Sequence, residues 1–192
     1  IQWIIAPGNT ITHLAQFFSD NSLHPQLVVV RQNVAANEDE QTERTVLELR
    51  AANGDKVWAQ PINGQVTSLL VTDFNQDGND DILVGNDQGQ ILLYDHEATR
   101  LWQTKVSGAV RQLLVRENLK TGANELFIVG NRAIKVADPD HAPRTIAIFP
   151  VRIQDVYLIT EERTNPQATA AVILKDGSFL LLDGEGDLLL AE

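Results

Sequence analysis

The chain of 192 residues contains no cysteine and no methionine. Without thiols there is no disulfide framework, no thiolate metal site and no cysteine nucleophile. The compartment stays open on that count, because exported bacterial proteins and many cytosolic ones share the lack. Positive charge is scarce too: 15 Lys and Arg stand against 26 Asp and Glu, for a formal net charge of −11. Phosphate backbones and anionic membrane surfaces need a basic face, so neither nucleic acid nor lipid headgroups are expected partners. No apolar run approaches the roughly 18–20 residues of a membrane-crossing helix, and no membrane insertion is expected. Asn-x-Ser/Thr sequons are absent, which disfavours a glycosylated surface protein. His13, His24, His96 and His141 are scattered and form no zinc-binding spacing. No Gly-x-Ser-x-Gly elbow or phosphate-binding glycine loop occurs. Carboxylates are plentiful, yet none is tied to a second feature suggesting acid/base work. The expectation is a protein that is not an enzyme. The chain begins at Ile1, which reads as a processing boundary, so any targeting segment is expected to lie outside it.

What is present is a repeat. Short alternating or β-branched segments fall in four sets of four. The first set covers residues 13–18, 26–30, 45–50 and 56–60; the second covers 66–72, 81–85, 90–94 and 100–104. The third covers 110–116, 125–130, 133–137 and 145–149; the last covers 153–160, 170–174, 178–182 and 187–191. Turn residues recur between them, as in Asn53-Gly54-Asp55, Asp87-Gln88-Gly89, Asp176-Gly177 and Gly184-Glu185-Gly186. No segment sustains a helical period, so the chain is read as all-β. Four-stranded units of about 45 residues in tandem predict β-propeller blades, each covering the face of the next. The expected fold is a β-propeller segment of four four-stranded blades over 1–192, with units at about 11–60, 66–106, 110–149 and 153–192. Trp58 and Trp102 close units one and two and are expected to plug the gap between blades. The equivalent place in unit four is read as Asp187-Leu188-Leu189. Ile1-Gln2-Trp3, within residues 1–5, then resembles the outer strand of a preceding blade, which favours a larger ring of seven or eight blades. An incomplete ring would expose apolar blade faces, so remaining blades, a second copy or another protein are the expected partners. The acidic stretch 33–44, with Glu38, Asp39, Glu40 and Glu43, reads as a solvated hairpin loop, with partner contact as the functional alternative.

Between the first two strands of unit two stands Asp73-Phe74-Asn75-Gln76-Asp77-Gly78-Asn79-Asp80-Asp81. Oxygen-bearing side chains occupy alternate positions, a glycine breaks the backbone, and another carboxylate closes the run. A hard cation such as Ca²⁺ takes six to eight oxygen ligands, and a short loop supplies them in this way. Asp73, Asn75, Asp77 and Asp81 would give side-chain oxygens and Asn79 its backbone carbonyl. The start is like an EF-hand loop, but the closing carboxylate comes at the ninth position and a strand follows in place of a helix. The same residue types also build plain polar turns; five ligand positions in order favour the metal.

That segment, continued through Ile82-Leu83-Val84-Gly85, resembles the FG-GAP/VCBS repeat of integrin α-subunit propellers and many bacterial surface proteins. The resemblance implies one structural Ca²⁺ on Asp73, Asn75, Asp77, Asp81 and the Asn79 carbonyl. The sister loops depart from the pattern. In unit three Leu119 and Thr121 replace ligands and Lys120 adds a positive charge; in unit one Phe18 and Ser22 do so. Residues 161–166 of unit four lack the spacing and the glycine. One cation is expected, not four. The run from Ala51 to Trp58 and that from Asp95 to Trp102 are similar to the repeats of quinoprotein-like (PQQ-type) propellers, a structural pattern that does not imply the cofactor.

The expected function is interaction or scaffolding by a calcium-stabilised propeller. Sub-micromolar cytosolic Ca²⁺ would leave a weak site empty, which favours an extracytoplasmic setting. The alternatives are the propeller of a polysaccharide lyase or quinoprotein, and the ligand-sensing domain of a membrane receptor or kinase.

Overall fold

The computed structural model describes residues 9–19, 24–33, 44–118, 121–139, 141–159 and 168–191. The readings made for residues 1–5, most of the acidic stretch 33–44, Ser22, Leu119, Lys120 and 161–166 lie outside these. Sixteen strands and no helix are found among the described residues. They form four antiparallel meanders in strict chain order. The first blade holds β1 (Asn9–Phe17), β2 (Gln26–Asn33), β3 (Arg44–Arg50) and β4 (Lys56–Ile62). The second holds β5 (Val66–Thr72), β6 (Asp81–Asn86), β7 (Gln90–Tyr94) and β8 (Arg100–Lys105). The third holds β9 (Gln112–Glu117), β10 (Asn124–Val129), β11 (Ala133–Asp138) and β12 (His141–Ile148). The fourth holds β13 (Ile153–Leu158), β14 (Ala170–Leu174), β15 (Phe179–Leu182) and β16 (Leu188–Ala191). Consecutive antiparallel strands need only tight turns, which the Asn, Asp and Gly clusters supply. No helix among the described residues is long and apolar enough to cross a membrane.

The chain divides into two compact units, Ile1–Ala109 and Val110–Glu192, of two blades each. In the first unit Phe17, Val28, Val30, Leu47 and Leu49 of blade one meet Ile82, Val84, Leu92 and Tyr94 of blade two. In the second, Phe127, Val129, Ile134 and Val136 of blade three meet Ala170, Val172, Leu174 and Leu182 of blade four. Period-two alternation delivers one face of each sheet to these cores, and each large aliphatic side chain contributes about 1.5–3 kcal/mol by leaving water. β6 is buried along its whole length, which accounts for its unbroken Ile82-Leu83-Val84 run. Trp58 packs on the first core from β4, and its Nε1–H donates to the His96 carbonyl of blade two at 3.0 Å. It is an inter-blade plug with its polar atom satisfied.

Two sequence readings shift by small steps. β12 starts at His141, ahead of the 145–149 segment, and includes Pro143. A proline is tolerated there because β12 pairs only with β11 and forms the sheet edge. In blade four the place of the tryptophan is taken by Leu190: Leu49 pairs Trp58, Leu93 pairs Trp102, and Leu181 pairs Leu190. Asp187 belongs to the turn, which places the equivalent of the tryptophan one residue beyond Leu189.

The outer hairpins of blades one, two and four share one turn, at residues 51–55, 95–99 and 183–187. The first residue's N–H donates to the last one's carbonyl, at 2.9, 3.0 and 2.9 Å respectively. The fourth residue is left-handed: Gly54 at φ 92, Ala98 at φ 67 and Gly186 at φ 90. Asp95 and Asp183 hold their turns by accepting N–H bonds from residues two and four positions on. The quinoprotein-like pattern is therefore this turn. Ala98 carries the steric penalty that glycine avoids. Ala98→Gly is expected to raise stability by about 0.5–1 kcal/mol, strain relief less the entropy glycine adds to the unfolded chain. A urea midpoint equal to the parent's would show that the left-handed alanine costs nothing there.

Candidate metal centre

β5 and β6 pair from Val66 with Asn86 to Thr72 with Asp81. The loop thus leaves the ladder at Thr72 and returns with Asp81 as its last rung. Phe74 is buried and anchors the loop into the core beneath it. Gly78 adopts φ 93, the left-handed turn read from the sequence, and Gln76 adopts φ 62. A glutamine in that region had no signal in the sequence, because side-chain type favours Gly or Asn there.

All five sequence-predicted residues come together in this loop. The Asp73 carboxylate accepts the N–H of Asp77 and of Gly78, each at 3.0 Å. Asn75 Oδ1 accepts the Asp77 N–H at 3.0 Å, and its Nδ2 donates to Asp77 Oδ2 at 2.9 Å. Asp77 Oδ1 accepts the backbone N–H of Asn79 at 2.9 Å and its side-chain Nδ2–H at 3.2 Å. Asp81 Oδ2 accepts the N–H of Phe74 and of Asn75, both at 3.1 Å. Every alternate carboxylate is thus turned toward the loop's own amides.

Electrostatics pull these carboxylates in opposite directions. Asp77 is held below the usual range by the Asn79 N–H, then by the Asn75 and Asn79 side chains. Asp81 is almost fully buried, at 1% exposure. That burial pushes its carboxyl up; the Asn75 and Phe74 N–H groups oppose this, the Asp77 and Asp73 charges add to it, and the result is about 6. A cation among these groups would reverse the burial and repulsion that make Asp81 reluctant to ionise.

Chemically the donors fit a hard cation: three carboxylates, amide oxygens and no nitrogen or sulfur ligand. Asp77 Oδ1 and Asp81 Oδ2 each accept two hydrogens, so the lone pairs these two residues offer a cation lie chiefly on their other oxygens. As folded, the loop spends its carboxylates on amides, and no cluster of three or more His, Cys, Asp or Glu side chains is gathered for a metal among the described residues. The sister loop of blade three is closed differently. Asn118 Nδ2 donates to Glu125 Oε1 at 2.9 Å, and the Asn118 N–H donates to the Ala123 carbonyl at 2.8 Å. Its Gly122 is left-handed at φ 73, so the turn glycine keeps its conformation.

Sequence reasoning missed Asp80. Its N–H donates to the Phe18 carbonyl at 3.0 Å and its Oδ2 accepts the Phe18 N–H at 2.7 Å. Nothing local distinguishes Asp80 from Asp81; partners 62 residues apart decide their roles.

The FG-GAP repeat family matches residues 66–102, the stretch from the start of β5 through the loop to Trp102. Among curated proteins no relative matches. Among solved structures the chain resembles BBS1N in its complex with ARL6DN, from a lead-soaked crystal. The TM-score is 0.68 at 13% identity, over 95% of this chain and 55% of that one. It also resembles a chain of an active polycomb repressive complex 2 in the basal state, with TM-score 0.60 and 9% identity, over 91% of this chain and 37% of that one. A third likeness is to Chaetomium thermophilum Raptor, with TM-score 0.60 and 15% identity, over 98% and 21% of the two chains. At such identities the likeness shows the fold alone. The chain spans about half the length of the BBS1N chain, 55%. Its second blade carries an FG-GAP repeat, and its four sheets are β-propeller blades.

Proposed function

We propose that these four propeller blades form an interaction module whose second blade, which carries the FG-GAP repeat, is stabilised by one Ca²⁺. The observation that carries the calcium reading is the oxygen-only loop with the buried Asp81 at its base. Asp73, Asn75, Asp77 and Asp81 would hold the ion through side chains and Asn79 through its carbonyl. The ion would supply charge neutralisation, and the loop would then tie the ends of β5 and β6. With an affinity near 10⁻⁴–10⁻³ M, typical of extracellular modules, 1 mM Ca²⁺ stabilises the fold by about 0.4–1.4 kcal/mol. Such a site fills outside the cytosol, which supports an extracytoplasmic setting.

The interaction role rests on the fold and on the absence of any motif for catalysis in the sequence. BBS1N was solved with a protein bound, and a protein partner is the occupant proposed here too. The half-length match supports reading these blades as part of a larger ring, completed by further blades or a second copy.

One thermal-shift series tests these points. The parent is expected to melt several degrees higher in millimolar Ca²⁺ than in chelator. Asp77→Asn, which keeps an acceptor for the Asn79 N–H but removes a charge, should lose most of that difference. Equal melting in Ca²⁺ and chelator would remove the metal reading. Stabilisation by sugars or quinones in the same series would favour the enzyme or sensor alternatives over a pure interaction module.

A further inference from the structure

We infer that the loop at residues 73–81 is also a latch between the first two blades, tightened when a cation binds. The inference rests on the calcium reading of that loop and goes beyond it, because the ligand set by itself ties only strands of one blade. Asp80 stands between Asn79 and Asp81 in the chain, and exchanges two hydrogen bonds with the backbone of Phe18. The Phe18 N–H donates to Asp80 Oδ2 at 2.7 Å, and the Asp80 N–H donates to the Phe18 carbonyl at 3.0 Å. Phe18 directly follows β1, next to Phe17, which is fully buried in the core shared by the two blades. It occupies the place where the first blade's own loop lacks its leading aspartate. The end of β1, at Phe18, is thus held by the loop of blade two.

An ion that fixes the Asn79 carbonyl and the Asp81 carboxylate fixes the peptide units on both sides of Asp80. Ordering Asp80 orders its bonds to Phe18, so cation binding and docking of the β1 end are coupled. The far end of β6 is pinned independently: Asn86 Nδ2–H donates to the Asn63 carbonyl at 2.7 Å, and the Gln65 N–H donates to Asp87 Oδ1 at 2.9 Å. Ion binding should leave that end unchanged.

The test joins calorimetric Ca²⁺ titration with amide hydrogen exchange, on the parent and on two variants. In the parent, saturating Ca²⁺ is expected to slow exchange at Phe18 by about fivefold or more relative to chelator, the lower range of coupling between sites. Asp80→Ala should still give binding heat and Ca²⁺-dependent protection of β5 and β6, while Phe18 no longer responds. Its Ca²⁺ affinity should fall by the same factor, since coupling is reciprocal. Asp80→Asn keeps an acceptor oxygen and should retain the Phe18 response. Binding to the parent without change at Phe18 overturns the latch and leaves the metal site standing. So does an undiminished Phe18 response in Asp80→Ala. No binding heat in the parent overturns the calcium reading and the latch with it.

Discussion

Glu48→Ala is expected to destabilise the first two-bladed unit by about 3–5 kcal/mol, the cost of removing one partner from a buried ion pair. Glu48 lies on β3 with its side chain 1% exposed, between Arg31 and Arg50 at 16% and 17%. Arg31 Nη2 donates to its Oε1, while Arg50 Nε and Nη2 donate to its Oε2 at 2.8 and 2.7 Å. Arg50 Nη1 continues to the Gly54 carbonyl at 2.8 Å. Alanine would leave two largely buried guanidinium groups facing each other without their anion. Trp58 and Trp102 both lie in this unit, so their fluorescence reports its unfolding in urea. A loss under about 1 kcal/mol would mean the cations relax into solvent.

The same carboxylate sets a pH dependence. Burial pushes Glu48 up, but the hydrogen bonds from Arg31 and Arg50, helped by their charges, outweigh it and leave the group lowered. With its folded value below its unfolded one, its contribution is present above the ordinary carboxylate range, near pH 4.3–4.5. That contribution is lost as pH falls through the folded value. Glu48→Ala should therefore flatten the acid limb of the stability curve. A wholly apolar replacement, Arg31→Met with Glu48→Leu and Arg50→Met, should recover much of the loss, because buried ion triads seldom surpass good packing. Arg31 Nε is buried without a hydrogen-bond partner, a sign that this triad is not fully satisfied.

The second large effect is expected in the other unit. Gly186→Ala should cost about 3–4 kcal/mol, combining left-handed strain with overpacking. Gly186 has φ 90, and a β-carbon there would lie 2.2 Å from the Ile146 carbonyl oxygen of β12. Backbone cannot yield as a flexible side chain can, so the outer turn of blade four would have to lift from blade three. The neighbouring Arg144–Glu185 pair, at 3.2 Å and well exposed on both sides, cannot hold it, since such pairs contribute little. Hydrogen exchange should show β15 and β16 losing protection while β5 to β7 keep theirs. Unchanged protection would place the turn farther from Ile146 than the structure has it. The comparison with Ala98 is informative: the same turn position tolerates a methyl group in blade two but not where a neighbouring carbonyl sits against it.

Much of this protein was written into its sequence by local rules. Alternation of apolar and polar residues, cut by Asn, Asp and Gly, set sixteen strands, because side chains alternate across a sheet and turns need those residues. Spacing alone brought Asp73, Asn75, Asp77, Asn79 and Asp81 into one loop, since residues so near in the chain share it under almost any fold. Alternation over residues 45–50 puts Leu47 and Leu49 on one face of β3 and Glu48 on the other. It says which face a side chain takes, not whether that face meets water, so the Arg31–Glu48–Arg50 triad was invisible. Likewise Asp80 and Asp81 are chemically alike and adjacent. Only tertiary structure sends one under the loop to two amides and the other across to Phe18, because contacts between distant residues form when blades stack.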